Sequence, residues 1–360
     1  MNFIYHIKKD IYKILYKLVP VKHKEKFEKK YLYYKKVIKH TNPIFVMNQI
    51  DKLTDRVSDL ETQMTNTDKY LQNAKYEVAD DLTKNPVKLP KILSIEETLN
   101  DIVQNQKSIC RYGDGEFRYI YETDFPNSQY FNTTQIEKYQ QKLKDILKSN
   151  NDRIMVCLWD FFGSLDNFSE YSKNIARNYM IEARDKMYKY IDFNKSYGNA
   201  FISRLYTTYN NESDSKKYFN LLKKIWNNRD IIIVEGAGCF LGLGNNLFDN
   251  AKSINRIECP SENAIIKYDE ILSTIKMNTT KDKLIILALG MAATCLAYDL
   301  AEEGYWALDI GHIDLEYEWF MKKTKVPVPI KGKYINDIGQ YDFIDISDEK
   351  FTNEIIAKIL

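Results

Sequence analysis

Asp114 and Glu116 are the residues of this chain best disposed for chemistry. They stand in Ser-Ile-Cys-Arg-Tyr-Gly-Asp-Gly-Glu-Phe, residues 108–117, directly after a short apolar run. Gly113 and Gly115 flank Asp114, so the backbone can turn sharply and approach a ligand closely. Two carboxylates at this spacing can share one hard divalent cation and leave its remaining positions to phosphate oxygens and water. Arg111 can neutralise further phosphate charge. An ordinary acidic turn, with Asp as turn former and Glu in solvent, uses the same residue types. The motif therefore needs its surroundings to decide between the two readings.

Those surroundings read as an α/β domain from about residue 91 onward, in which apolar strand-like runs alternate with amphipathic helices as in a doubly wound, Rossmann-like sheet. The expected strands are Ser108 to Arg111, Ile154 to Leu158, Ile231 to Glu235, Ser253 to Cys259, Leu284 to Leu289 and Ala307 to Ile310. The chemistry-bearing residues fall at their carboxyl ends, the edge at which open α/β sheets bind ligands. After Ile231 to Val234 come Glu235, Gly236, Gly238, Gly242, Gly244 and Asn245. This glycine-rich loop has the character of a nucleotide-binding turn, although its spacing fits neither dinucleotide fingerprint. Gly290, with Thr294 after it and Asp309 nineteen residues on, is a second such turn. In both, glycine can equally serve close strand–helix packing.

Two regions precede this domain. Residues 1 to 40 carry twelve Lys and no Arg against Asp10, Glu25 and Glu28, a net +9, while the whole chain of 360 residues sums to +2. Phe3, Ile4, Ile7, Ile11, Ile14, Leu15 and Leu18 recur there at helical spacing with lysines between them. A basic amphipathic helix of this kind can lie on an anionic membrane surface or pack on its own domain. In residues 41 to 84, Val46, Ile50, Leu53, Val57, Leu60, Met64, Thr67 and Leu71 alternate by four and three, the pattern of a parallel two-stranded coiled coil and hence of a homodimer. A helix docked on the same chain is the competing reading. Asn85-Pro86 and Leu89-Pro90 mark a linker, and residues 326 to 360 read as a C-terminal extension.

The five cysteines are odd in number, widely spaced and mostly within apolar runs, as expected of buried thiols in a reducing cytoplasm. No stretch approaches 18 uncharged apolar residues. A cytoplasmic protein is expected, peripheral on the inner face of the membrane if the arm binds lipid. Basic charge confined to the arm, with no stacking motif, argues against nucleic-acid binding.

Arg-Tyr-Gly-Asp-Gly-Glu-Phe, residues 111–117, resembles the Arg-Phe-Gly-Asp-Gly-Glu signature of bacterial glycosyltransferases with the GT-D fold. Ile-Ser-Arg-Leu-Tyr at 202–206, Val-Glu-Gly with Gly-Leu-Gly-Asn-Asn-Leu-Phe between 234 and 248, and the segments from 288 to 319 resemble that family in order and spacing. The resemblance covers roughly residues 95 to 325. It implies transfer of a hexose from a nucleotide sugar, UDP-glucose or UDP-galactose, to a glycan on a glycoprotein or lipid carrier. It also implies a Mn2+ or Mg2+ ion held at Asp114 and Glu116. The departures are Phe240 where a basic residue is common, Asn246 where Asp is common, and Met291 where Pro follows Gly290.

If the sugar moves in a single displacement, a base must take the acceptor proton. Asp309, His312, Asp314 and Glu316 are the candidates. His312 is the only histidine beyond residue 40, and a hydrogen-bonded structural histidine is the competing reading. Arg204 is a further phosphate or acceptor contact, or the partner of an acid within the fold. A non-catalytic assembly protein that only binds nucleotide or glycan, and a Rossmann methyltransferase using the loop near Gly236, are the alternative functions.

Overall fold

The computed structural model describes residues 43–82, 89–122, 133–335 and 349–359, with a few isolated positions before residue 43. The basic amphipathic arm over residues 1 to 40 therefore lies almost wholly outside the described residues. The chain divides into two compact units, Met1–Asp68 and Lys69–Leu360. Helix α1, Pro43–Leu82, crosses that division and covers the heptad segment. Along it Leu53, Leu60, Met64 and Leu71 are exposed.

The second unit is built on a nine-stranded sheet. Its strands are β1 (Lys91–Ile92), β2 (Ser108–Tyr112), β3 (Ile154–Leu158), β4 (Ser196–Asn199), β5 (Asp230–Gly236), β6 (Ser253–Cys259), β7 (Leu284–Ala288), β8 (Trp306–Asp309) and β9 (Ile355–Lys358). Their order is β1-β4-β3-β2-β8-β7-β5-β6-β9, and every pairing is parallel. A parallel sheet covered on both faces needs strands that are apolar on both sides. Ile231-Ile232-Ile233-Val234 and Leu284-Ile285-Ile286-Leu287 meet that demand, and all eight residues are buried. The last strand pairs with β6, so the sheet extends past residue 325 into the segment expected to be an extension.

Crossover helices supply the covering layers. They are α2 (Ile95–Asn105), α3 (Asp114–Tyr121), α4 (Thr133–Lys148), α5 (Glu170–Tyr188), α6 (Glu212–Ile225), α7 (Tyr268–Asn278), α8 (Met291–Glu302), α9 (Ile313–Lys322) and the short α10 (Glu349–Glu354). Helix α2 begins at a capping box in which the Glu97 backbone N–H donates to Ser94 Oγ at 3.2 Å and the Ser94 N–H donates to Glu97 Oε2 at 2.8 Å. Helix α8 buries Ala292, Ala293, Cys295 and Ala297 and packs on β2 and β8. Small side chains there let the helix lie close to the centre of the sheet. From β2 the chain proceeds to β3 on one side, whereas from β8, its other neighbour, it proceeds to β9 on the opposite side. The strand order reverses between β2 and β8, and a crevice opens above that point.

Candidate active site

A cleft of about 890 Å³ occupies this crevice, bounded by the loops that leave the carboxyl ends of β2 through β8. Asp114 and Glu116 lie on its wall because α3 starts directly after β2. Asp114 is exposed. Glu116 is half-buried, and its Oε2 accepts the Gly113 backbone N–H at 2.8 Å, which fixes the carboxylate over the first turn of the helix. Burial pushes the Glu116 carboxyl up to about 7 and the Asp309 charge adds to this, while the Gly113 N–H and the Arg111 guanidinium pull it down. A Cβ built on Gly115 would meet nothing within 4 Å, so the space beside the two carboxylates is open.

Arg111 reaches the cleft but is already engaged. Its Nε donates to the Asp309 carbonyl at 2.8 Å, one terminal nitrogen donates to Asp309 Oδ1 at 2.6 Å, and the other donates to Ser203 Oγ at 2.6 Å. Thr294 Oγ1 closes the network: its single proton has two acceptors in reach, Asp309 Oδ2 at 3.1 Å and the Arg111 carbonyl at 3.0 Å. Arg111, Asp309, Thr294 and Ser203 thus form a buried brace tying β2, β8, α8 and the turn after β4 together. Gly311 makes room for it: its φ is +43°, and a Cβ there would lie 2.2 Å from an Arg111 nitrogen.

The four candidate bases separate clearly. Asp309 is committed to the brace. Glu316 is buried on α9 and accepts the backbone N–H groups of Tyr206 and Thr207, both at 2.9 Å, and the Thr207 hydroxyl at 2.5 Å. Burial raises its pKa, and the nearby Arg204 opposes that shift. Neither Asp309 nor Glu316 is on the cleft lining; each binds the backbone or side chains of segments that surround it. Asp314 does line the cleft, but its oxygens accept from the Gly242 N–H at 2.8 Å, Asn245 Nδ2 at 2.8 Å and Lys333 Nζ at 2.6 Å. His312, at the N-terminus of α9, is on the cleft wall, as is Arg204.

The glycine-rich segment after β5 divides in a similar way. Gly236 lines the cleft. Glu235 is buried, accepts the Leu241 N–H at 2.7 Å and is paired with Arg256 at 2.5 Å, so it shapes the loop from beneath. Burial raises the Glu235 pKa against the pull of Arg256. Gly242 is held to Asp314, whereas Gly244 and Asn245 border a separate depression of about 450 Å³ with Met321 and Lys322. Gly290, at φ +54° with open space where a Cβ would lie, presents the first turn of α8 to the cleft through Met291 and Ala292.

Sequence reasoning missed several lining residues. Pro260 to Ile265 follow β6, Trp159 and Phe161 follow β3, and Tyr171, Ile175 and Tyr179 lie along α5. The carboxyl-edge rule that found Asp114 applies equally to the first two groups. Tyr334 carried no such signal, since it comes from a segment that no strand announces. Among the described residues no group of three or more His, Cys, Asp and Glu could hold a metal ion. The donor set at α3 is thus two carboxylates on an open cleft. That suits a hard cation which keeps waters and shares its coordination with substrate phosphates.

Comparison with known proteins gives a consistent answer. A family model described as glycosyltransferase GT-D fold matches residues 109–338. Glycosyltransferase GlyD of Streptococcus pneumoniae serotype 4 is 34% identical over 287 residues, which is 79% of this chain and 34% of that protein. A probable glycosyl transferase Gly of Streptococcus gordonii is 34% identical over 272 residues, 74% of this chain and 39% of that protein. The chain thus spans little more than a third of the length of these relatives. Among solved structures, the domain of unknown function 1792 described as having a distinct glycosyltransferase fold aligns with a TM-score of 0.70 at 34% identity, covering 76% of this chain and 97% of that one. A glycosyltransferase of the same domain from Streptococcus sanguinis aligns with a TM-score of 0.69 at 33% identity, covering 76% of this chain and all of that one. The carboxylate pair at the reversal of strand order, the loops that surround it and these likenesses agree: the chain belongs to the GT-D fold family of glycosyltransferases.

Proposed function

We propose that this protein transfers a hexose from a nucleotide sugar, UDP-glucose or UDP-galactose, to a glycan acceptor carried by a glycoprotein or lipid, with a divalent cation at Asp114 and Glu116. The observation that carries the reading is the opening of these two carboxylates onto the same cleft as the N-terminus of α8. An anionic diphosphate between them would be favoured by the dipole at the N-terminus of α8. A Mn2+ or Mg2+ ion bound there would offset the charge of the diphosphate leaving group. The loop at Gly236 and the segment Pro260 to Ile265 would enclose the nucleoside. The Arg111–Asp309 brace keeps the α3 turn in place. His312 is the candidate for receiving the acceptor proton, because it lines the cleft while Asp314 is held in a buried pair with Lys333.

The exposed heptad face of α1 supports assembly as a homodimer through a parallel coiled coil. The lysine-rich arm would bring the transferase to an anionic lipid surface on the cytoplasmic side. No described helix is long and apolar enough to cross a membrane.

Calorimetric titration of UDP-glucose and UDP-galactose, with and without Mn2+, tests the donor and metal assignments. The double variant Asp114→Asn, Glu116→Gln preserves side-chain size and an acceptor for the Gly113 N–H. Binding that requires the cation in the wild type and is lost in the variant is expected. Undiminished binding in the variant would refute the metal role, and no binding of either donor to folded wild type would refute the UDP-hexose assignment.

A further inference from the structure

The cleft extends to both sides of the carboxylate pair, and its two arms differ in chemistry. On the β7-β5-β6 side lie Gly236, Gly290 and the Pro260 to Ile265 segment. On the β3-β4 side the wall is aromatic. Trp159 and Phe161 leave the end of β3 with ring centroids 5.2 Å apart, and Trp159 meets the Tyr179 ring edge-on at 5.0 Å. Tyr171, Ile175 and Tyr179 are spaced by four residues along α5, so one stripe of that helix faces the cleft. Tyr171 and Ile175 are 40% and 42% exposed there. The Tyr179 hydroxyl donates to the Asp114 carbonyl at 3.3 Å, which sets this aromatic wall directly against the first turn of α3. Thr208 also lines this part of the cleft.

An apolar helix stripe on the cleft wall, with a threonine hydroxyl beside it, suits a ligand that is apolar on one face and polar at its rim. A pyranose ring is such a ligand: its C–H face packs on aromatic rings while its hydroxyls hydrogen-bond around the edge. We propose that the wall formed by Trp159, Phe161, Tyr171, Ile175 and Tyr179, with Thr208 at its rim, is the acceptor subsite and holds a pyranose ring of the acceptor glycan. This inference rests on the transferase reading above. It assigns donor and acceptor to opposite arms of the cleft, which meet at Asp114.

The test uses the full chain labelled with 5-fluorotryptophan. The chain has four tryptophans, and the Trp159 fluorine resonance is identified by its loss in Trp159→Phe. Methyl glycosides of glucose, galactose and N-acetylglucosamine are titrated, followed by farnesyl phosphate. A saturable shift of the Trp159 resonance by at least one glycoside is expected, with the other three tryptophans unmoved. Tyr171→Ala, at an exposed position, should weaken that glycoside at least fivefold while calorimetric UDP-glucose affinity changes less than twofold. The proposal is overturned if no glycoside moves the resonance, if farnesyl phosphate alone moves it, or if Tyr171→Ala weakens donor and glycoside equally. A glycoside response in a protein that binds no nucleotide sugar would sustain the sugar site and refute the donor reading instead.

Discussion

Gly311→Ala offers a direct measure of how firmly the site is braced. The Cβ it introduces would sit 2.2 Å from a terminal nitrogen and 3.0 Å from Cζ of Arg111. A free arginine end would move aside at little cost. This one is pinned by hydrogen bonds to the Asp309 carbonyl and carboxylate and to Ser203, and its side chain is only 17% exposed. Displacing it leaves the buried Asp309 carboxylate without its cation. Breaking a buried pair in this way costs about 3–5 kcal/mol, and placing alanine in the left-handed region at φ +43° adds about 1–2 kcal/mol. Partial relaxation of the loop would recover some of this, so an overall loss of about 3–5 kcal/mol is expected. Urea unfolding followed by far-UV circular dichroism reads the change. Gly115→Ala is the control: the added methyl meets nothing within 4 Å, and alanine is favoured over glycine inside a helix by about 0.5–1 kcal/mol, so stability should hold or rise. A loss below about 1 kcal/mol for Gly311→Ala would refute the brace as argued, because it would place the pair's contribution in the range of an exposed ion pair.

Three further outcomes are expected. Burial raises the Asp160 carboxyl to about 6 from an ordinary 3.8, so its charged form disfavours the fold. The folded state binds the extra proton between pH 4 and 6, and stability from this group falls as pH rises through that window. Asp160→Asn should therefore stabilise the protein by about 1–2 kcal/mol at pH 7 and not at pH 4, as read by denaturant titration at both values; an equal gain at both would exclude the ionisation as its cause. Lys333→Met should cost about 3–5 kcal/mol by leaving Asp314 buried without its cation, and Lys333→Met with Asp314→Asn should recover much of that loss. In sedimentation equilibrium the full chain should be dimeric, and Leu53→Lys with Leu60→Lys should render it monomeric without shifting the main unfolding transition; a wild-type monomer would refute the coiled coil.

Much of the fold was legible in the sequence because burial on both faces leaves an unmistakable mark. Ile154 to Leu158 and Ser253 to Cys259 are strands with the bounds their residues imply. The strands that escaped are β1, β4 and β9. Two of them are sheet edges, and β4 is Ser-Tyr-Gly-Asn, whose glycine is required because a Cβ would lie 2.5 Å from the Met155 sulfur. Such strands are specified by neighbours distant in sequence, which local composition does not report.

The site shows the same division at the level of single residues. Asp114 could be found because glycine, carboxylate and strand end coincide within a few residues. Asp309, Asp314 and Glu316 could not be told apart, since each is an acid at the same sheet edge and only its partners distinguish it. Those partners are Arg111, Lys333 and Thr207, separated from them by 198, 19 and 109 positions. Three buried acids beside the cleft thus hold three different backbone segments in place, the turn after β4 being reached both by Glu316 through Thr207 and by the Arg111 brace through Ser203. A variant that loosens the Glu316–Thr207 anchor should disturb Arg204 and Thr208 on the same turn before it disturbs Asp114. In a transferase with its acceptor on that side, the first kinetic sign of a loosened anchor would be a raised acceptor KM at unchanged donor affinity, and a matching fall in donor affinity would place the acceptor elsewhere.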